Sequence, residues 1–383
     1  MRVLFVTHSF PRYEGDGAGE FILRLATALV TAGCVVKVLA PAGAGLNVAD
    51  TMRGVEVERF HYAPRGWETL AYSGTMAEQV AASATSKLAL TGLVAAGSAA
   101  VAHAVDAFQP DVVHAHWWFP LGIAAAFGSG GCPLVVTLHG SDVRLASKSR
   151  FAPAVFRMVA RRAAAVTAVS SWLANMAAGF APGLGVAVAP MPADVSAFHP
   201  RASPRKSSLL FVGRLNAQKG VADLLRAMTS IPSHVSLDII GDGPDRAPLA
   251  LLAHTLGLTD RVRWHGQLHQ TALAPLYAAA YAVMIPSREE GLGLVAAEAL
   301  LSETPVVAYR SGGLVDLVED GVTGRLVAEG AVGEFAEAVN ALLAAPDQAA
   351  TMGALGRKRM LTRFDPATAA AAYMQVYAQA IGR

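Results

Sequence analysis

The sequence predicts an α/β protein made of two doubly wound, parallel-sheet domains. Three observations carry that expectation. At 383 residues the chain is longer than one ordinary core organises, so two domains of similar size are the default. Short apolar strands alternate with segments of helical periodicity, the βαβ arrangement that requires a parallel sheet. Finally, the opening Val3-Leu4-Phe5-Val6 is echoed by Leu209-Leu210-Phe211-Val212 just after a proline-rich stretch, so a second sheet begins afresh there.

Taken in order, residues 3–6 read as a strand and 7–19 as a loop holding Pro11, Gly15, Gly17 and Gly19. Residues 21–29 have helical spacing of apolar side chains, Gly33 ends that helix, and 35–40 is the next strand. Further strands follow at 111–116, 134–138 and 164–169. Residues 88–105 are the longest stretch without an acidic or basic residue, but Thr91, Gly92, Gly97, Ser98 and His103 dilute it. A buried Ala-rich helix is therefore favoured over a membrane span. Residues 190–207 carry four prolines, two arginines and Lys206 with few large apolar residues, and read as a hinge. It separates a first domain, 1–189, from a second, 208–366. The second domain has strands at 209–213, 235–241, 262–266, 282–285 and 305–308 and helices at 221–228 and 273–280. The last helix, within 367–383, is expected to pack back on the first domain. Ligands of such sheets bind at the carboxyl ends of the strands, so the two domains are expected to face one substrate across a cleft.

Composition narrows the class. The chain is 53% hydrophobic and 16% charged with mean hydropathy +0.39, a value that Ala and Gly inflate. The N-terminus runs straight into a strand without a signal-peptide layout, and Cys34 and Cys132 form no metal or disulfide pattern, so a reducing cytoplasm is expected. The net charge of +2 implies no partner, nucleic acid included. Its distribution says more: Arg144, Lys148, Arg150, Arg157, Arg161 and Arg162 fall together with no acid among them. Two readings stay open for 144–162, an ordinary solvated helix edge, which is favoured, and a peripheral contact with anionic lipid at the inner face of the cell membrane.

The residues suited to chemistry lie at strand ends. Gly213-Arg214-Leu215-Asn216-Ala217-Gln218-Lys219-Gly220 places two cations around a tight loop that opens a helix, an arrangement suited to a diphosphate or simply to two surface cations. Neither the P-loop spacing nor the dinucleotide Gly-x-Gly-x-x-Gly is present. After the strand at 282–285 comes Pro286-Ser287-Arg288-Glu289-Glu290-Gly291-Leu292-Gly293, then an Ala/Leu helix carrying Glu298. A strand–loop–helix join favours phosphate, whereas its carboxylates suit hydroxyl groups, and together they point to a nucleotide sugar. Read as an acid/nucleophile pair the two glutamates would make a hydrolase, but Glu298 falls inside the helix. His114 and His116 share a strand face at a metal-ligand spacing, yet no third ligand is at hand, so they are expected to line the core or a cleft, and no metal is assigned.

Gly-Arg-x-x-x-x-Lys-Gly at 213–220, Gly241-Asp242-Gly243-Pro244 and Glu290-x7-Glu298 form an ordered series. In that order they resemble the retaining GT-B glycosyltransferases of family 4, the glycogen-synthase-like and mannosyltransferase-like group. The resemblance extends to Gly17-Ala18-Gly19-Glu20, Asp111-Val112-Val113-His114-Ala115-His116 and Thr137-Leu138-His139-Gly140-Ser141-Asp142, nearly the whole chain. It departs at Pro190-Met191-Pro192-Ala193-Asp194, where the group has Pro-Asn-Gly-Val-Asp, and at Leu292, where Phe is commoner.

The resemblance implies the GT-B fold, two Rossmann-like domains, and transfer of a sugar from a UDP-, GDP- or ADP-sugar to a glycan, lipid-linked or small-molecule acceptor. It implies that Arg214 and Lys219 neutralise the diphosphate, Glu290 bonds donor-sugar hydroxyls, and His139 reaches the donor sugar. Donor binding would also involve Gly17, Gly19, Gly213, Gly243, Leu268, Gly291, Leu292, Gly293, Leu294 and Val295, with Glu298 on the ribose. His116, Trp117 and Asp142 are the acceptor-side candidates. No cofactor and no metal are implied. The alternatives are a GT-B-fold sugar-nucleotide epimerase, a phosphorylase, or a non-catalytic nucleotide-sugar-binding partner. The last would be expected to lose some of Arg214, Lys219, Glu290 and Glu298, and all four are present.

Overall fold

The computed structural model describes residues 1–72, 76–200 and 207–382, with backbone alone at 270 and 271. The chain divides into two compact units, Met1–Pro192 with Pro366–Arg383, and Ala193–Asp365. The first division lies inside the stretch expected as a hinge, and residues 201–206 of that stretch lie outside the described residues.

The first unit holds an eight-stranded sheet of β1 (Arg2–Val6), β2 (Val35–Pro41), β3 (Ala49–Met52), β4 (Val55–Phe60), β5 (Val112–His116), β6 (Leu134–Leu138), β7 (Ala165–Ala168) and β8 (Val186–Val188). Their order is β3-β4-β2-β1-β5-β6-β7-β8. All pairings are parallel except β3 with β4, an antiparallel edge pair outside the sequence expectation of a wholly parallel sheet. β1, β5 and β6 are buried because central parallel strands are covered on both faces; Val3 to Val6 are fully buried, and β5 carries His114 and His116 in the same setting. The chain builds outward from β1 to β2 and β4, then returns to lay β5 on the other side of β1. That reversal makes β1/β5 the topological switch point.

The Ala-rich helix Ala84–Phe108 is long and apolar enough to cross a membrane by length and composition. It buries one stripe, Ala89, Leu93, Gly97, Val101, Ala104 and Phe108, and exposes the opposite face, so it is a half-buried helix and not the buried one expected. Gly97 and Gly128 let this helix meet Leu121–Gly128 closely. A Cβ at Gly128 would stand 2.4 Å from the Ser98 carbonyl oxygen. The last helix, Pro366–Ile381, lies in this unit, where Tyr377 Oη sits 2.7 Å from His114 Nδ1 and Tyr373 donates to the Ala189 carbonyl at 2.9 Å.

The second unit is a six-stranded, all-parallel sheet of β9 (Ser208–Val212), β10 (Ser236–Ile240), β11 (Val262–Gly266), β12 (Ala282–Ile285), β13 (Val306–Tyr309) and β14 (Gly324–Val327), ordered β11-β10-β9-β12-β13-β14. The helix Val221–Met228 turns Val221, Leu224, Leu225 and Met228 into the core against Leu237 and Ile239. Here the switch point is β9/β12. The loops after those two strands are the ones carrying Lys219 and Glu290.

Candidate functional site

In the second unit the two loops at the switch point are fastened to each other. After β9, Leu215 is fully buried, its N–H donates to the Asp242 carbonyl at 2.9 Å, and Asn216 caps the turn Ala217–Lys219 by accepting from Lys219 N–H at 3.2 Å. Gly220 sits at φ +67°, and a Cβ there would lie 2.0 Å from the Pro286 carbonyl oxygen. Only glycine allows the first loop to press on the second. Arg288 N–H donates to the Gln218 carbonyl at 2.8 Å, and the Gln218 side-chain amide donates back to the Glu289 carbonyl at 3.2 Å.

The second loop is held from its far side as well. Glu289 sits at φ +51° with its N–H on Ser311 Oγ at 2.8 Å, and the Glu290 carbonyl accepts from Gly313 N–H at 2.7 Å. The Glu290 carboxylate points back across the switch point, where Lys219 Nζ donates to its Oε2 at 2.6 Å. Both side chains are partly exposed, 21% and 16%, so the pair is open to a ligand. Gly293, at φ +93°, caps the helix Leu294–Leu301, whose first residue Leu294 is exposed and whose N-terminus adds its positive dipole end beside Lys219 and Glu290.

About one turn further, Glu298 Oε2 accepts from the hydroxyl of Tyr277 at 2.8 Å. Tyr277 is fully buried, with Phe198 edge-on to its ring, and burial together with the Glu298 charge pushes its hydroxyl pKa well above the ordinary value. It therefore stays a donor. Asp223 is a second brace: its Oδ2 accepts from Arg288 Nη2 at 2.8 Å and from the Tyr309 hydroxyl at 3.1 Å, tying the helix after Gly220 to the Glu290 loop. Tyr277, Asp223, Arg288 and Tyr309 were not foreseen from sequence. Gly213 and Gly243 are both closely packed by the protein itself. A Cβ at Gly243 would lie 2.3 Å from the Leu215 carbonyl oxygen, so this glycine admits protein backbone. At Gly213 the neighbour is the Phe211 ring at 3.3 Å. Gly291 and Leu292 are buried in the loop, Val295 and Leu268 are half-buried, Arg214 is exposed, and Leu268 lies in the segment after β11.

In the first unit the switch-point loops gather imidazoles around a tryptophan. Trp117, just after β5 and at φ +66°, has the rings of His8 and His139 at 4.5 and 4.4 Å between centroids. Phe21 adds a tilted ring 5.3 Å from His139, and His116 Nδ1 lies 3.1 Å from His139 Nε2. Two ring nitrogens here, His8 Nδ1 and His116 Nε2, are buried with no hydrogen-bond partner among the described residues. His8 was missed in the sequence. Its signal was positional, the residue two past the first strand of a doubly wound sheet.

Asp142 faces inward. Its Oδ1 accepts from the N–H groups of His139, Gly140 and Val143 at 3.2, 2.9 and 3.0 Å, and its Oδ2 from Trp118 N–H at 3.2 Å. It shapes the turn that presents His139 and Trp118, and burial pushes its carboxyl up against the pull of those N–H groups. Gly19, at φ +71°, lets Ser9 approach, since a Cβ would stand 2.4 Å from its carbonyl oxygen, whereas Gly17 is exposed with open space around it. Buried Asp16 braces this loop through Arg12, and buried Arg59 donates to the Pro11 carbonyl at 3.2 Å. His114 is a core residue, its Nε2 2.6 Å from Thr137 Oγ1. Among the described residues no group of three or more His, Cys, Asp or Glu is placed to hold a metal ion.

The buried imidazoles give the first unit an acid-sensitive core. Burial lowers His8 to about 4 and His114 to about 3, and holds His116 and His139 well below the ordinary value. All four stay neutral when folded but take up protons in the unfolded chain below about pH 6.5. Their stabilisation is fully present above that pH and is lost as the pH falls toward about 4 for His8 and about 3 for His114. Each contributes a slope of up to about 1.4 kcal/mol per pH unit within its window. Asp142, with a raised folded value, has the opposite sign and offsets part of the loss in the carboxylate range. The melting temperature is expected to fall steadily from pH 7 to pH 5, and a flat profile over that range contradicts the assignment of neutral buried histidines.

The comparisons with known proteins agree over both units. The family model described as Glycosyl transferases group 1 matches residues 196–359, and that described as Glycosyltransferase Family 4 matches 15–197. The glycogen synthase of Mycobacterium tuberculosis is 30% identical, with 98% of this chain and 94% of that protein aligned. The GDP-mannose-dependent alpha-(1-6)-phosphatidylinositol monomannoside mannosyltransferase of the same organism is 32% identical over 63% of this chain and 70% of its own length. Among solved structures, sucrose-phosphate synthase from Thermosynechococcus elongatus superposes with a TM-score of 0.80 at 24% identity, covering 100% and 99% of the two chains. Anabaena HepE crystallised with UDP superposes with a TM-score of 0.75 at 21% identity, covering 99% and 100%.

Proposed function

Because the chain belongs to the group 1 and family 4 glycosyltransferases, we propose that it transfers a sugar from a nucleoside-diphosphate sugar to a hydroxyl acceptor with retention at the anomeric carbon. The observation that carries the donor reading is the Lys219–Glu290 contact of 2.6 Å at the β9/β12 switch point. It sets a hydroxyl-binding carboxylate beside a phosphate-binding ammonium at the start of a helix. In this reading Lys219 and Arg214 meet the diphosphate, Glu290 and the N–H groups around Gly291–Gly293 hold the sugar, and Glu298 takes the ribose hydroxyls.

The reaction breaks the bond from the anomeric carbon to the phosphate oxygen, and the electron pair leaves with the diphosphate. The acceptor oxygen bonds the same face of that carbon and its proton passes to the departing phosphate. Charge grows on the leaving group, so cations aimed there stabilise the transition state more than the ground state. Protein cations supply this charge in our reading, and transfer is expected to continue in EDTA. His139, carried with Trp117 and His116 by the first unit, is assigned to the sugar side of the reaction.

Glu298 and Tyr277 test the ribose assignment. Glu298→Ala is expected to raise the donor KM with little change in kcat. Tyr277→Phe, which removes a hydroxyl that donates to Glu298 Oε2, is expected to raise KM by about tenfold, the worth of a hydrogen bond to a charged group. UDP-, GDP- and ADP-sugars are the donors to assay, since the mannosyltransferase relative is named for GDP-mannose and HepE was also crystallised with UDP-glucose. Unchanged donor KM in both variants rejects the role given to Glu298.

A further inference from the structure

The basic segment of the first unit has no place in the donor chemistry, and its geometry is specific. From residue 112 to 193 the chain holds six Lys and Arg and one acid, Asp142, which is 3% exposed. The helix Ala152–Arg162 turns Phe156, Val159 and Ala160 into the core. Its opposite stripe runs Phe151, Ala154, Met158 and Arg161, at steps of three and four residues along one face. Phe151 is 68% exposed with the Arg150 guanidinium 4.8 Å from its ring centroid. At the other end of the same helix Phe127 is 57% exposed with the Arg162 guanidinium 4.7 Å from its ring. Arg157 is tied to the Phe180 carbonyl at 3.0 Å and belongs to the scaffold.

We propose that this face, Phe151, Met158 and Phe127 ringed by Arg150, Arg161 and Arg162, docks the first unit on an anionic lipid surface. Two exposed phenylalanines at the ends of one helix fit shallow insertion between lipid headgroups, and the arginines beside them meet the lipid phosphates. The apolar stripe along the helix favours a bilayer over a polyanion such as RNA, which would be met by cations and stacking platforms along a groove. The inference does not depend on which donor or acceptor the enzyme uses.

Sedimentation of the whole protein with vesicles tests it without reading activity. The wild type is expected to pellet with vesicles of equal parts phosphatidylcholine and phosphatidylglycerol, not with pure phosphatidylcholine, and to be released by high salt. Arg161→Glu with Arg162→Glu is expected to weaken binding by about tenfold or more, and Phe151→Ser to weaken it while leaving the melting temperature at the wild-type value. Equal recovery with neutral and anionic vesicles, no recovery with either, or binding to heparin without binding to vesicles overturns the proposal. The wild-type arm decides the question even where a variant misfolds.

Discussion

Lys219→Ala is expected to lower kcat by about a hundredfold or more, the loss found when one well-placed donor to a developing charge is removed. The position earns that expectation from its surroundings. Its ammonium lies 2.6 Å from Glu290 at the switch point of the second sheet, beside the N-terminus of Leu294–Leu301. The same substitution should barely change stability. The turn is held by the Asn216 cap and by Gly220 against Pro286, contacts that do not involve the Lys219 side chain. The ion pair is partly solvated, and such pairs contribute about 1 kcal/mol or less. Arg214→Ala should show the same split between lost turnover and retained melting temperature. Full activity in both variants removes the diphosphate assignment.

Gly312→Ala is expected to abolish donor binding and to destabilise the second unit by roughly 3 kcal/mol, a size reserved for substitutions that meet fixed backbone at a strained position. A Cβ at Gly312, where φ is +58°, would stand 2.0 Å from the Glu290 carbonyl oxygen and 2.6 Å from its nitrogen. No flexible side chain can give way there. Either the Ser311–Gly313 turn or Glu290 must move, and Gly313 N–H, which holds the Glu290 carbonyl at 2.7 Å, moves with it. Gly321→Ala is the control. It also has positive φ, +76°, but nothing lies within 4 Å of its Cβ. It should cost about 1 kcal/mol of backbone strain and leave donor binding intact. Normal nucleotide binding by Gly312→Ala is the outcome that denies Glu290 its place in the site.

Most of the architecture was legible because parallel sheets write themselves as apolar runs between periodic helices. β1, β6, β9 and β12 all read this way, and the loops that follow them contain charged and glycine residues of both sites. The elements that escaped notice are short or lie at an edge. β3 is Ala-Asp-Thr-Met, β8 is three residues, and β14 opens with Gly-Arg. β4, Val-Glu-Val-Glu-Arg-Phe, does carry the alternation of a strand buried on one face.

Side-chain braces are invisible to pattern reading for a different reason. Tyr277 and Glu298 are 21 residues apart and Asp223 and Arg288 are 65 apart, so only the fold brings them together. Gly243 illustrates the opposite limit. A glycine required by a ligand and a glycine required by neighbouring backbone look alike in sequence, and only the structure shows that a Cβ here would meet the Leu215 carbonyl.

In the proposed function the two switch-point loops of the second unit bind a nucleoside diphosphate through Lys219. Thermal shift of the wild type and Lys219→Ala with UDP, GDP and ADP tests it most directly, because a ligand that binds only the folded state raises the melting temperature. At a hundred times its dissociation constant a ligand adds about 2.7 kcal/mol, which for a domain of this size is roughly 5 °C or more. Such a rise is expected for at least one of the three nucleotides with the wild type, and little or none with Lys219→Ala. No shift with any of them, or an equal shift in the variant, would contradict it.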